Sequence, residues 1–338
     1  MANGVDIFIN RIHEIYMCNM LQKYFFILSI MLLYSCSKTP IETLDVDKFY
    51  ELIDAAEGES TSFLFFTDPH LHENNETFEH YLHTIEYNYK QVPLEFCLCG
   101  GDWLDQGDTN QLASDKLMFI DDYVHSLFGD NYYPVLGNHD TNYQGRLNSN
   151  ADIATGGLSH DVIVNLLFRE QHNSYYSFQR SNARFFVFDT GLDWYPQMDD
   201  FRWEQVKWFA KELHTNVTPN NVIVMHIYTN DLKVPAEFSQ HIMQVAESYN
   251  NRGSILLQGV NYDFSDATGT VSCVLCGHCH TDFIDRTYSI PVIGATHLKT
   301  GNVPTFDLCV FNWDKAVLNL IRVGAGRDRM VSLPKSYY

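Results

Sequence analysis

The sequence predicts an α/β chain, and two observations carry that prediction. Apolar runs recur along the chain and alternate with segments whose apolar residues fall at helical spacing. Most of these runs are continuous and do not alternate apolar with polar, which suits strands covered on both faces. The chain has 338 residues, 45% of them hydrophobic and 19% charged, so a packed core is expected and wholesale disorder is excluded. No fixed period of repeats and no low-complexity tract appears, which removes solenoids and fibres.

The first predicted element is a helix over Asp45–Ala56, where Phe49, Leu52, Ile53 and Ala56 fall at i, i+3, i+4 and i+7. Predicted strands follow at Ser62–Phe66, Leu94–Cys99, Tyr133–Leu136, Ser174–Gln179, Arg184–Phe188, Asn221–Met225, Val271–Cys276, Ile290–Ile293, Phe306–Phe311 and Ala316–Val323. Between them, helices are predicted at Glu76–Lys90, Ala113–Leu127, His160–Phe168, Asp200–His214 and Glu237–Tyr249. No shift in composition suggests a second domain after residue 45.

Upstream of that helix the chain reads as an address. Lys23 flanks an apolar run from Tyr24 to Leu33, long enough for a signal-peptide core and too short to span a bilayer. Leu33-Tyr34-Ser35-Cys36 follows at once and resembles the bacterial lipobox. That resemblance implies cleavage before Cys36, lipid attachment to it, and a protein exported and tethered to a bacterial membrane on its periplasmic or cell-surface side. Residues 1–36 are thus read as an upstream extension plus lipoprotein signal peptide, with Met20 as the start, 37–44 as a linker, and 45–338 as the folded domain. A buried first helix is the alternative, but the run is apolar all round and has no polar face.

Charge narrows the partners. Asp and Glu total 42 against 22 Lys and Arg, a formal charge of −20, which repels nucleic-acid polymers. A small phosphorylated substrate stays admissible, because a bound cation inverts the local field. Beyond the leader, the cysteines are Cys97, Cys99, Cys273, Cys276, Cys279 and Cys309, in strand-like runs, and are read as buried thiols. Cys273, Cys276 and Cys279 could form a zinc or iron–sulfur half-site, but Cys273 and Cys276 sit three apart in a strand and point to opposite faces.

The chemistry gathers just after predicted strands, where open α/β sheets bind ligands. Asp68-Pro69-His70 follows the first strand, and a carboxylate and an imidazole two apart can chelate one ion from the same side of an extended chain. Gly100-Gly101-Asp102-Trp103-Leu104-Asp105 follows the second, its glycines allowing a sharp turn. Gly137-Asn138-His139-Asp140 follows the third, His226 closes the strand at Asn221–Met225, and Gly277-His278-Cys279-His280 follows Val271–Cys276. Each has a bland reading alone: D-x-H by chance, a turn, a satisfied strand-end histidine. Together, Asp, Asn and His donors are too oxygen-rich for a thiolate structural site and suit two divalent ions sharing a carboxylate. No G-x-S-x-G elbow and no G-x-x-x-x-G-K-[ST] loop is present.

In that order the segments D-x-H, G-D, G-N-H-D, a lone H and G-H-x-H resemble the calcineurin-like metallophosphoesterase family, from Asp68 to His280. The resemblance implies a four-layer αββα sandwich of two mixed sheets flanked by helices. It implies that Asp68, His70 and His280 hold one ion, that Asn138, His226 and His278 hold the other, and that Asp102 bridges them. A metal-bound hydroxide would then attack phosphorus, with His139 as the catalytic histidine that stabilises the transition state or protonates the leaving oxygen, and Asp140 orienting His139. Purple acid phosphatases carry a Tyr three residues after the bridging Asp. Asp105 stands there in this chain, which argues against a tyrosinate–iron(III) site and for a pair drawn from Mn, Fe(II) or Zn.

Other residues near these motifs carry weaker readings. His72 and His297 could touch substrate or be solvated, and Trp194-Tyr195-Pro196 could form a stacking wall or cover the core. The rival from another class is a surface lipoprotein that binds metal or glycan without catalysis. It should have lost some ligands, and this chain keeps the whole set together with His139.

Overall fold

The computed structural model describes residues 41–56, 59–71, 75–105, 108–142, 157–191, 199–229, 236–298 and 303–335. Cys36, His72 and Trp194-Tyr195-Pro196 lie outside the described residues.

Two six-stranded mixed sheets form the centre of the unit that runs from Glu42. The first sheet contains β1 (Ser60–Phe66), β2 (Phe96–Cys99), β3 (Tyr132–Pro134), β12 (Phe306–Asn312), β13 (Val317–Val323) and β14 (Arg329–Ser332). Its order is β14-β13-β12-β1-β2-β3, with β1, β2 and β3 parallel and β12 antiparallel to β1. The second contains β4 (Tyr176–Arg180), β5 (Ala183–Phe188), β6 (Asn220–Met225), β9 (Thr270–Cys276), β10 (Phe283–Asp285) and β11 (Val292–Gly294). Its order is β10-β11-β9-β6-β5-β4, with β5, β6, β9 and β11 parallel.

Strand alternation divides the core into layers. On β1, Phe63 and Phe65 join the layer between the sheets, while Leu64 and Phe66 face the other way. On β6, Val222 and Val224 point between the sheets and Ile223 and Met225 point outward. The outer face of the first sheet is covered by α1 (Val46–Asp54), α2 (Asn75–Tyr89), α3 (Asn110–Phe128) and α4 (His160–Leu167), through residues such as Phe49, Ile85, Leu117 and Ile163. The outer face of the second is covered by α5 (Asp199–Thr215) and α6 (Glu237–Asn250), through Val206, Phe209, Ile242 and Val245. The result is the expected four-layer αββα sandwich. Burial on both faces explains the continuous apolar runs in β1, β2, β6 and β9.

Aromatic packing joins the two sheets. Phe63 stacks on Phe96 within the first sheet at 4.6 Å between ring centroids. Both meet Phe185 of the second sheet edge-on, at 5.8 Å and 5.1 Å. The predicted divergence of the strand cysteines also holds: Cys273 packs between the sheets and Cys276 packs under the helices. Cys97, Cys99, Cys273, Cys276 and Cys309 are buried thiols, and Cys279 is a partly exposed thiol whose Sγ donates to Thr229 O at 3.3 Å.

Helix starts follow side-chain chemistry. Asp45 accepts from the Lys48 amide at 3.0 Å, Thr109 from Leu112 at 3.3 Å and Ser159 from Val162 at 3.4 Å, which caps α1, α3 and α4. Four short strands depart from the sequence-based expectation. The hairpin of β7 (Ser254–Leu257) and β8 (Val260–Asp263) stands apart from both sheets, and Gln258 and Gly259 at its tip both have positive φ, at 47° and 85°. It is half-exposed, and β10 and β14 are short edge strands with polar residues, so none shows a clear apolar run. Among the described residues no helix is long and apolar enough to cross a membrane.

Because Phe96 is fully buried against rings from both sheets, Phe96→Ala is expected to destabilise the domain by about 3–5 kcal/mol, read as a lower urea midpoint with an unchanged slope. An unchanged midpoint would show that the inter-sheet aromatic cluster does not hold the layers together.

Candidate metal centre

The parallel strands of both sheets deliver their carboxyl ends to one place. Asp68 and His70 follow β1, Asp102 follows β2, Asn138 and His139 follow β3, His226 follows β6, and His278 and His280 follow β9. Backbone bonds fasten these loops to each other. Asp68 N–H donates to Gly101 O at 2.9 Å, His70 N–H to Asp102 O at 3.0 Å, and Gly277 N–H to His226 O at 3.1 Å. The loops also approach without room for extra atoms. A Cβ on Gly137 would lie 2.1 Å from Asp102 Oδ1, and one on Gly277 would lie 2.0 Å from Thr67 Oγ1.

The backbone at the donor residues is unusual. Asp68, His70, Asp102, His278 and His280 all have left-handed φ, at 52°, 45°, 59°, 68° and 52°. Such conformations cost about 1–3 kcal/mol each for non-glycine residues and cluster at functional sites. They correct the extended-chain account of the D-x-H pair: Asp68 and His70 converge because the chain turns left-handed at both, where an extended segment would carry them onward.

Six of the seven predicted donors meet. Asp68, His70 and His280 place one donor atom each within 4.8 Å of one another, and so do Asp102, His226 and His278. A third group, His70, Asp102 and His139, joins them. His280 Nε2 lies 3.2 Å from Asp68 Oδ1, His226 Nε2 lies 3.0 Å from Asp102 Oδ2, and the Nε2 atoms of His70 and His280 face each other at 2.9 Å. Asn138, the seventh, precedes His139 in the loop after β3, and its Oδ1 is buried and accepts no hydrogen bond.

These orphaned atoms fit cations. Buried polar atoms rarely go without a well-formed hydrogen bond, and Asp68 Oδ1, Asp102 Oδ2 and His226 Nε2, which all belong to these donor groups, lack one and are lone-pair donors once His226 is neutral. The imidazoles are arranged for the same end. His70 Nδ1 is bound by Leu104 O at 3.1 Å and His226 Nδ1 by Gly100 O at 2.7 Å. These carbonyls hold the proton on Nδ1 and aim Nε2 inward.

The electrostatics follow from burying two carboxylates together. Burial alone would raise Asp68 and Asp102, but the surrounding histidines, His226 foremost, outweigh it and hold both below the usual carboxylate range. His226 is itself driven up to about 10, against burial, by Asp102 and Asp68. Burial holds His70 at about 4 and His278 at about 4, so both present neutral lone pairs. Positive charge is thus demanded at the cradle, and a proton on His226 meets that demand where a cation could.

His139 and Asp140 divide differently from expectation. The His139 ring is partly exposed, with Nε2 3.9 Å from Asp102 Oδ2, and its backbone N–H donates to Asp102 Oδ1 at 2.7 Å. Asp140 does not orient that ring. Its carboxylate accepts from the amides of Gly137 at 2.9 Å, Asp102 at 3.1 Å and Leu104 at 3.1 Å, and so ties the loops after β2 and β3 together. Burial, with the Asp102 charge adding to it, pushes the Asp140 carboxyl up to about 7. The carboxylate beside the ring is Asp105, whose Oδ1 lies 3.9 Å from both His139 Nδ1 and His70 Nδ1. By sequence Asp105 stands out only as the position without a tyrosine, three residues after Asp102, and that spacing is the signal for its place here. His297 also borders the site, stacked on His280 at 4.8 Å and 7°.

Among solved structures, a dimetal phosphatase from Danio rerio superposes with a TM-score of 0.53 at 13% identity, over 81% of this chain and 99% of that one. A putative 5′-nucleotidase from Staphylococcus aureus gives 0.43 at 13% identity, over 82% and 55%. A phosphopantetheinyl hydrolase from Mycobacterium tuberculosis gives 0.42 at 14%, over 71% and 91%. No curated protein sequence matches the chain. The sequence profile described as calcineurin-like phosphoesterase matches residues 61–282, which spans every donor from Asp68 to His280, and the chain belongs to that family.

Proposed function

We propose that this protein hydrolyses a small phosphate ester with two divalent ions, drawn from Mn, Fe(II) or Zn, and with His139 as its catalytic histidine. The observation that carries the reading is the convergence of Asp68, His70 and His280, and of Asp102, His226 and His278, in two groups whose donor atoms lie within 4.8 Å of one another. Asp68, His70 and His280 would hold one ion and Asn138, His226 and His278 the other, with Asp102 between the two donor groups. When bound, such a pair supplies Lewis-acid chemistry: activation of water and neutralisation of phosphoryl charge.

The remaining chemistry falls to the chain's own groups. Asp68 and Asp102, held ionised, balance the cations, and the Nδ1 contacts of His70 and His226 fix the directions of their rings. His139 stands at the edge of the cradle with its ring open to solvent, where it can donate a proton to a leaving oxygen or a hydrogen bond to developing charge. Asp105 lies behind the same ring, and Asp140 keeps the His139 loop against the Asp102 loop. A cationic centre also accounts for an acidic protein, at −20, accepting an anionic substrate.

The direct test is turnover of a chromogenic phosphomonoester and a phosphodiester with added Mn²⁺, abolished by chelation and restored by metal. Absence of turnover of both, in protein that holds two ions, would favour the binding-only alternative. Asp102→Asn is expected to lose metal and activity together, measured by elemental analysis of the purified protein. His139→Gln is expected to keep its metal and lower kcat by about 10²–10⁴-fold. Metal loss in His139→Gln would overturn its catalytic role.

We propose also that the protein is exported and lipid-anchored through Cys36, on the strength of the apolar Tyr24–Leu33 run and the Leu33-Tyr34-Ser35-Cys36 motif. Two acids and two bases lie within residues 1–35, so the charge after cleavage stays at −20. Cys36→Ala is expected to move the protein from the membrane fraction and to stop incorporation of labelled fatty acid. Continued partition with membranes would exclude the anchor.

A further inference from the structure

The profile match ends at residue 282, but strands beyond it reach back toward the donor loops. Asp307 on β12 pairs across the sheet with Arg322 on β13, and both are buried. Arg322 Nε donates to Asp307 Oδ1 at 2.9 Å and its Nη2 to Oδ2 at 3.1 Å. Arg329, on β14, donates to Asp307 Oδ2 at 2.5 Å and to Gly294 O of the second sheet at 2.8 Å. Two guanidinium groups against one carboxylate leave an excess positive charge in a desolvated place.

Asp282 supplies the missing negative charge. Its Oδ1 accepts from Arg322 Nη2 at 2.8 Å and lies 3.1 Å from Arg329 Nη1. The same oxygen accepts from the Thr296 amide at 3.1 Å, and the Thr296 hydroxyl donates to the His280 carbonyl at 3.0 Å. An unbroken series of polar contacts therefore runs from the His280 backbone through Thr296 and Asp282 to the arginines.

His280 needs such a support. Its side chain is 42% exposed, so core packing does not fix it. Its backbone is left-handed, as is that of His278, and non-glycine residues stay in that region only where their surroundings hold them. We infer that Asp282, anchored by Arg322 and Arg329, is a positioning residue that sets the aim of His280 at a bound cation. The inference rests on the reading of the Asp68–His70–His280 group as an ion site and adds to it a structural cause whose anchors, Thr296, Arg322 and Arg329, lie beyond the family match.

The test is a titration of the full chain, stripped of metal, with Co²⁺ followed by d–d absorption, which reports ions in mixed nitrogen and oxygen sites. The wild-type protein is expected to bind two Co²⁺, and His280→Ala to identify which phase belongs to the Asp68–His70–His280 group. Asp282→Asn is expected to weaken that same phase by about 10–100-fold and leave the other unchanged. Because loss of the Asp282 charge also unbalances the two arginines and can destabilise the cluster, Thr296→Val serves as a second variant. It removes the hydroxyl contact to His280 and leaves the Asp282 ion pairs in place, and it is expected to weaken the same phase by about 2–10-fold, the worth of one hydrogen bond. In His280→Ala, adding Asp282→Asn is expected to cause no further loss. Unchanged Co²⁺ binding in both single variants, or an equal fall in both phases, would overturn the positioning role while leaving the centre itself intact. A wild-type protein that binds no Co²⁺ would overturn the centre and this inference together.

Discussion

Two carboxylates, Asp68 and Asp102, are buried almost completely beside each other, and most of what surrounds them answers that constraint. Like charges in a desolvated space repel strongly, and neither can be protonated cheaply while imidazoles crowd around both. The protein places His70, His226, His278 and His280 about them, fixes two of those rings through backbone carbonyls, and brings the backbone of five donor residues into a left-handed conformation. Strain, close glycine packing and unpaired donor atoms are separate observations, but they share a cause: a cluster of negative and lone-pair groups that only a cation fully satisfies.

The sandwich gives this cluster a rigid base. Donors come from both sheets, so their relative positions depend on how the sheets are locked face to face. The ring cluster of Phe63, Phe96 and Phe185 does that locking from within. At the donor end, Asp140 takes over, with its carboxylate shared among amides of two loops. A substitution far from the cradle can therefore disturb it by tilting one sheet on the other, while a substitution at Asp140 would separate neighbouring loops within one sheet.

The candidate donor set was legible in the sequence because each motif is short, local and placed directly after an apolar run. Asp68, His70, Asp102, Asn138, His226, His278 and His280 could be read without knowing how the strands were ordered. The opposed faces of Cys273 and Cys276 were legible for a similar reason, since strand alternation is a local property. What escaped was long-range or conformational. The bonds of Asp140 to the Asp102 loop, the place of Asp105 behind His139, and the contacts of Asp282 with Arg322 and Arg329 join residues whose proximity no spacing rule fixes. The left-handed turns at Asp68 and His70 come from loops fastened to each other, and the sequence around Pro69 reads more naturally as extended. The strands β7, β8, β10 and β14 are short, exposed or polar, and show little periodicity.

The position of β12 carries a consequence for how the chain is made. It lies between β13 and β1, antiparallel to both, and pairs with β1 from Ser60 to Phe65. A ribosome therefore releases the final histidine of the cradle before the strand that covers the flank of β1 has emerged. Until then a nascent chain carries all its donors on a half-built sheet with one naked margin, a surface open to stray pairing with other polypeptides. Completion of the last strands closes that margin and delivers the arginines that steady His280, so synthesis itself sets the order in which the site can become competent.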